Sequence, residues 1–126
     1  MATILIADDE KTFRDSIQKV LEREGYEVEA VDSVDSALQR LSLRSFNLVI
    51  SDVRMPGKSG IDLLKELSLR GCPVPVILVS AYADSDTEVA AKAMGASGLL
   101  HKPLRRRDLV ECAGRAMAGR NCTGAI

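Results

Sequence analysis

Polar residues suited to phosphoryl chemistry stand at the ends of four short apolar stretches of the chain. They are Asp8 and Asp9 after the first stretch, Asp52 at the end of the third, Ser80 after the fourth and Lys102 after the fifth. Carboxylates about 4 Å apart repel each other by several kcal/mol at an effective dielectric constant near 20, so such a cluster needs a proton or a bound cation. A hard divalent cation such as Mg²⁺ binds one or two carboxylates and keeps positions for a phosphate oxygen. These residue types therefore indicate a metal-assisted site for phosphoryl transfer.

The residue types also suggest individual roles in such a site. Asp8 and Asp9 are suited to hold the metal, and Asp52 stands alone, so it can accept a phosphoryl group as an acyl phosphate. The Ser80 hydroxyl can donate a hydrogen bond to a phosphoryl oxygen, and Lys102 can neutralise developing charge. A carboxylate that is already ionised needs no general base, so we expect neither His nor Cys in that role.

A purely structural interpretation exists for each of these residues. Asp8 and Asp9 can be acidic residues favoured by the dipole at the start of a helix. Asp52 can be a turn residue, because Asp often bonds its own backbone in turns. The functional interpretation depends on the whole set, since each polar group closes a different apolar stretch.

The apolar stretches alternate with segments of helical periodicity. Residues 3–7, 26–31, 48–52, 75–79 and 98–101 are predicted strands, and each is followed by a predicted helix. Five strands alternating with five helices predict one α/β domain with a doubly wound parallel sheet and helices on both faces. In such sheets the site lies beyond the carboxyl ends of the strands, where these polar groups would meet. We expect the domain over residues 1–119 and a flexible tail or the start of a linker over 120–126.

Composition excludes several classes of protein. The chain has 126 residues, a net charge of −1 and 3% aromatic residues, which disfavours nucleic-acid binding through a basic surface or stacked rings. Three cysteines and one histidine lack the spacing of a zinc site. No secretory signal and no apolar stretch of about 20 residues is recognisable, so we expect a cytoplasmic protein without membrane contact.

At the motif positions the sequence closely resembles the receiver domains of two-component response regulators. The matching segments are 5–10 (LIADDE), 51–57 (SDVRMPG), 80–81 (SA) and 102–103 (KP). The resemblance spans about residues 2–118. The amino-acid sequence of residues 52–60 and 79–87 is most similar to that of nitrogen-regulation-type regulators.

The resemblance implies a flavodoxin-like fold with strand order 2-1-3-4-5 and a phosphoacceptor switch, not an enzyme. Asp52 would accept a phosphoryl group from a phosphohistidine of a sensor histidine kinase. Asp9, Asp52 and the backbone carbonyl of Arg54 would bind Mg²⁺ or Mn²⁺, with Asp8 assisting through water. Phosphorylation would change the surface of the fourth helix, fifth strand and fifth helix, where the family often forms homodimers. The output would be a process such as transcription, without direct nucleic-acid binding by this domain.

Sensing of the phosphoryl group would fall to Ser80 and Lys102, but one position departs from the family pattern. The family usually has Tyr or Phe three residues before the lysine, as a rotameric switch coupled to the Ser or Thr. This chain has Leu99 there. We therefore expect transmission through movement of the loop from Ser80 to Ala83, or through Tyr82.

Three alternatives belong to other functional classes. The first is a degenerate receiver that serves only as a docking or dimerisation module, an interpretation that Leu99 favours. The second is a haloacid-dehalogenase-like phosphatase with an Asp nucleophile, but this class needs an Asp two residues later, where Arg54 stands. The third is a flavodoxin-like cofactor-binding protein, whose phosphate would be repelled by the acidic residues 8–10.

Overall fold

Strands and helices alternate along the whole described chain, as predicted. A computed structural model describes residues 2–81 and 85–119. The strands are β1 (Thr3–Ala7), β2 (Glu27–Val31), β3 (Leu48–Asp52), β4 (Val76–Ser80) and β5 (Gly98–His101). The helices are α1 (Lys11–Arg23), α2 (Val34–Leu43), α3 (Gly60–Leu69), α4 (Ser85–Ala93) and α5 (Arg106–Met117). The expected tail over 120–126 lies outside the described residues, as do Tyr82 and Ala83 of the expected transmitting loop.

The five strands form one parallel sheet in the order β2-β1-β3-β4-β5. This order confirms the predicted doubly wound topology. Since all strands run in the same direction, their carboxyl ends share one edge of the sheet. The ends of β1 and β3 are neighbours there, and the ends of β4 and β5 follow on one side. No helix within residues 2–81 and 85–119 is long and apolar enough to cross a membrane.

The central strands are buried on both faces, which explains why they appear in the sequence as continuous apolar runs. Every residue of β1, β3 and β4 is buried, whereas the edge strand β2 is partly exposed. Alternate residues enter two separate cores: Leu5 and Leu78 pack in the core under α2, α3 and α4, and Ile4 and Ile77 in the core under α1 and α5. The helices on both faces thus hold the carboxyl ends of the strands in place.

A capping box fixes the start of α3, the helix that follows the loop after Asp52. The Ser59 hydroxyl oxygen accepts a hydrogen bond from the Asp62 amide at 3.2 Å, and the Asp62 carboxylate accepts one from the Ser59 amide at 2.8 Å. The hydrogen bonds from Ser59 hold the pKa of Asp62 below its usual value. Ser33 caps α2, since its hydroxyl oxygen accepts a hydrogen bond from the Ser36 amide at 3.1 Å.

Gly60, the first residue of α3, lies directly against the end of β3. Its amide donates to the Val53 carbonyl at 2.9 Å. A Cβ atom at this position would stand 2.5 Å from the carbonyl oxygen of Asp52 and 2.9 Å from Cδ2 of Leu78. Only glycine allows α3 to approach the strand that carries Asp52 so closely.

We predict that Gly60→Ala lowers the free energy of unfolding by about 1–3 kcal/mol, because the added methyl group has no space without backbone movement. Gly114→Ala is the matched control. Gly114 lies inside α5, and a methyl group added there would meet no neighbouring side chain within 4 Å, so this change should be neutral or stabilise by up to about 1 kcal/mol. Urea unfolding measures both. Equal effects of the two substitutions would contradict the close approach at Gly60.

Candidate acidic site at the carboxyl edge of the sheet

Three carboxylates meet at the edge of the sheet where β1 and β3 end. Asp8 follows β1, Asp52 is the last residue of β3, and Asp9 extends beyond Asp8. One carboxylate oxygen from each residue lies within 4.8 Å of the others. Asp8 and Asp52 are buried, with 1% and 8% of their surface exposed, whereas Asp9 is exposed. Solvent therefore reaches the cluster on the Asp9 side.

Backbone and side-chain contacts hold Asp8 in this position. Its Oδ1 accepts a hydrogen bond from the Glu10 amide at 2.8 Å, and its carbonyl oxygen accepts one from the Arg14 guanidinium at 2.7 Å. Its Oδ2 is buried and lies 3.1 Å from Nζ of Lys102, yet it accepts no well-directed hydrogen bond from any residue of the described ranges. This oxygen retains capacity for a further ligand.

Lys102 supplies positive charge directly beside the cluster. Its Nζ lies 3.1 Å from Oδ2 of Asp8 and 3.3 Å from Oδ2 of Asp52, and its side chain is 18% exposed. Residue 101 pairs with Ser80 in the sheet, and the Lys102 amide donates to the Ser80 carbonyl at 2.8 Å. The end of β5 is thereby fixed beside the end of β4, with Lys102 directed across the strand ends.

The charges of the cluster shift the pKa values of Asp52 and Lys102. Burial raises the pKa of Asp52, and the neighbouring Asp8 charge raises it further, against the opposing effect of Lys102 and the Arg54 amide. Burial alone would lower the pKa of Lys102, but the contacts with Asp8 and then Asp52 outweigh it and raise the pKa. Three carboxylates thus meet beside the Lys102 ammonium, and this excess of negative charge favours a bound divalent cation.

The remaining residues named from the sequence lie close to this cluster or behind it. Ser80 is the buried last residue of β4, and the Arg54 amide approaches Oδ1 of Asp52 at 3.4 Å. The Arg54 carbonyl is thus on the loop that leaves the site. Leu99 is 3% exposed and packs in the core under α2, α3 and α4, which includes Ala91 of α4. Its side chain connects β5 with the α4 side of the sheet.

Two contacts near the site were not anticipated from the sequence. The Lys102 ammonium lies 4.1 Å from the centroid of the Phe13 ring. Phe13 is on the first turn of α1, which begins two residues after Asp9, and this position could have placed it beside the strand ends. His101 Nε2 lies 3.6 Å from a carboxylate oxygen of Glu88, which joins β5 to α4. Nothing in the sequence pairs these last two residues.

The raised pKa of Asp52 predicts that Asp52→Asn stabilises the metal-free protein at neutral pH. The folded protein protonates this carboxyl more readily than the unfolded chain, so the ionised form reduces stability above the ordinary value of 3.8. Because solvent reaches the cluster past Asp9 and screens the charges, we expect a gain of about 1 kcal/mol in the free energy of unfolding.

The pH dependence distinguishes removal of the Asp52 charge from a stabilising effect of the substitution that does not depend on charge. The advantage of Asp52→Asn should be full at pH 7 and should disappear as the pH falls through the raised pKa of Asp52 towards 3.8. The control is Asp35→Asn, an exposed carboxylate paired only with Lys58 in the described structure, which should change stability by less than about 0.5 kcal/mol. Urea unfolding in the presence of a chelator measures both. A destabilised Asp52→Asn protein at pH 7 would contradict the raised pKa of Asp52.

Known proteins share both this sequence pattern and this fold. The sequence profile of the response regulator receiver domain matches residues 4–113. The chain is 38% identical over 118 residues to the response regulator protein FleR of Pseudomonas aeruginosa, covering 94% of the chain and 25% of FleR. It spans between a quarter and about half of the length of the curated relatives it matches.

Solved structures agree with the assignment. The chemotaxis protein CheY4 of Vibrio cholerae superposes with a TM-score of 0.87 at 29% identity, covering 92% of this chain and 98% of CheY4. The response regulator TrrA of Thermotoga maritima, solved in complex with Mg²⁺ and BeF, superposes with a TM-score of 0.80 at 30% identity, covering 88% of this chain and 95% of TrrA. The matched segment includes Asp8, Asp9, Asp52, Ser80 and Lys102, so the chain belongs to the response regulator receiver domain family.

Proposed function

We propose that residues 1–119 form a switch that accepts a phosphoryl group on Asp52 from a phosphohistidine of a sensor histidine kinase. The observation that carries this proposal is the position of the Asp52 carboxylate. It is buried at the end of β3, grouped with two other carboxylates, and 3.3 Å from the Lys102 ammonium. Membership of the receiver family supports the same role.

The chemistry requires Asp52 to act as an ionised nucleophile. A carboxylate oxygen of Asp52 forms a bond to phosphorus while the phosphorus–nitrogen bond of the phosphohistidine breaks, and the electron pair of that bond stays on the imidazole. Burial raises the pKa of Asp52, and the Lys102 ammonium opposes that effect. Lys102 can then neutralise charge on the phosphoryl oxygens, and the Ser80 hydroxyl is placed at the neighbouring strand end to contact one of them.

The acidic residues are suited to hold Mg²⁺ or Mn²⁺ during this reaction. Asp8, Asp9, Asp52 and the carbonyl of Arg54 would be the ligands, directly or through water. Two features of the site fit such a cation: the grouping of the three carboxylates, and the buried Oδ2 of Asp8, which has the Lys102 ammonium at 3.1 Å but no well-directed hydrogen bond from the described residues. A bound divalent cation would supply positive charge to the phosphoryl oxygens. TrrA has been solved with Mg²⁺ and BeF, which supports the same cofactor for this chain.

Phosphorylation would be transmitted to the surface formed by α4, β5 and α5. Leu99 is an aliphatic side chain already buried against the α4 side, so it lacks the ring that the family uses as a switch. Movement that begins at Ser80 would instead reach α4 through the following loop and through the contact between His101 and Glu88. Homodimerisation through this surface, control of transcription and a cytoplasmic location complete the proposal.

A docking or dimerisation module that is never phosphorylated is the second candidate function. The observation that favours it is Leu99 at the position of the aromatic switch. The clustered carboxylates and Lys102 favour the phosphoacceptor instead, because a module that only docks has no need for a buried site with excess negative charge. Arg54 stands where an Asp-based phosphatase of the haloacid-dehalogenase type requires its second Asp, so that class is not proposed.

Acetyl phosphate with Mg²⁺ should add one phosphoryl group to the protein, visible by intact mass spectrometry. Asp52→Asn should abolish the addition, because a neutral amide replaces the nucleophilic carboxylate. Asp35→Asn, an exposed carboxylate at the start of α2, is the control and should react like the wild type. An unmodified wild-type protein would exclude the proposed switch and leave the docking module.

Mg²⁺ should raise the thermal unfolding midpoint, since a ligand that binds only the folded protein stabilises it by about 2.7 kcal/mol at one hundred times its dissociation constant. Asp9→Asn should weaken Mg²⁺ binding by about ten-fold or more. Asp9 is exposed, so this change leaves the core intact and the metal-free stability nearly unchanged. Equal Mg²⁺ stabilisation of the wild type and Asp9→Asn would remove Asp9 from the ligand set.

A further inference from the structure

Lys102 shares its two carboxylate partners with the proposed cation. The distances from Nζ to Asp8 and Asp52 are 3.1 and 3.3 Å, and both carboxylates belong to the acidic cluster. A divalent cation bound there would compete with the ammonium for the same oxygens. If the cation takes these oxygens, the Lys102 ammonium needs another partner to stay at the strand ends. That partner must have no oxygen that the cation would also bind.

The ring of Phe13 is such a partner. Its centroid lies 4.1 Å from Nζ of Lys102, within the range in which an ammonium is attracted to the face of an aromatic ring. Phe13 is on the first turn of α1, and its partly buried side chain packs against the core under α1 and α5. The ring is therefore held by the helix and the core, independently of the carboxylates.

We propose that Phe13 is a positioning residue, whose ring keeps the Lys102 ammonium at the site while Asp8 and Asp52 bind the cation and the phosphoryl group. This inference rests on the proposed function. The residues identified from the sequence motifs all lie at the ends of strands or just after them, and the inference adds a residue of α1 to them. It also assigns a role to one of the few aromatic side chains of the chain.

Apolar packing is the alternative explanation for Phe13, and the variants must separate it from the contact with Lys102. Phe13→Leu keeps an apolar side chain but removes the ring, and Phe13→Tyr restores a ring. Phe46→Leu is the matched control, because Phe46 is a buried ring with the Arg44 guanidinium 5.3 Å from its centroid. It lies just before β3, at the opposite edge of the sheet from Asp52. Leu in place of Phe46 therefore removes the same kind of contact away from the site.

The experiment measures phosphorylation rates with acetyl phosphate as a function of donor and Mg²⁺ concentration. Phe13→Leu should lower the maximal rate by about three- to ten-fold, since the contact is worth more where water is partly excluded. The donor concentration that gives half the maximal rate should stay within about two-fold, because the ring does not contact the donor. Phe13→Tyr should recover most of the rate, and Phe46→Leu should retain the wild-type rate.

A second arm tests whether Phe13 acts through Lys102. In a Lys102→Met background, Phe13→Leu should cause no further loss of rate, because the ammonium that the ring positions is absent. An equal loss with and without Lys102, or a wild-type rate in Phe13→Leu, would overturn the inference and leave Phe13 as core packing. If the wild type itself does not react, the proposed function fails first, so the two failures are distinguishable.

Discussion

The repulsion between the buried carboxylates of Asp8 and Asp52 is the constraint on which the rest of the structure depends. Carboxylates within 4.8 Å of one another remain together only because strong local structure holds each of them. The parallel pairing of β1 with β3 brings Asp8 and Asp52 together, and the two cores on either face of the sheet keep those strands in register. Lys102 offsets part of the repulsion from the neighbouring strand end. Burial of the sheet between its helices compensates for the stability that the site costs.

The excess of negative charge at the site also underlies the proposed signalling function. In the proposed switch, a divalent cation would offset the negative charge of the three carboxylates that Lys102 leaves unbalanced, and a phosphoryl group on Asp52 would change the contacts of Lys102. Lys102 and Ser80 stand at adjacent strand ends, linked through the hydrogen bond from the Lys102 amide to the Ser80 carbonyl. In the proposed switch, a shift of either residue would be transmitted along β4 and β5 towards α4. Because Leu99 is a buried aliphatic side chain, the proposed switch depends on that backbone link and not on a moving ring.

Much of the fold and part of the site could be predicted from the sequence, for physical reasons. Doubly buried strands appear as continuous apolar runs, and the polar residue that ends each run must lie at the sheet edge, so Asp8, Asp52 and Lys102 were identified correctly as neighbours. The contact of Phe13 with Lys102 was missed, because a ring at helical spacing looks the same whether it packs in a core or under an ammonium. The pairing of His101 with Glu88 depends on how α4 lies over β5, and no local pattern encodes that.

The measurement that tests the central claim most directly is identification of the phosphorylated residue. After transfer from a phosphorylated histidine kinase, borohydride converts an aspartyl phosphate to homoserine, and peptide mass spectrometry locates the change. We expect homoserine at position 52 alone, since Asp52 pairs with Lys102 and stands alone at the end of β3, whereas Asp8 and Asp9 are proposed to hold the metal. Homoserine at position 8 or 9, or a protein that acquires no acyl phosphate, would contradict the account.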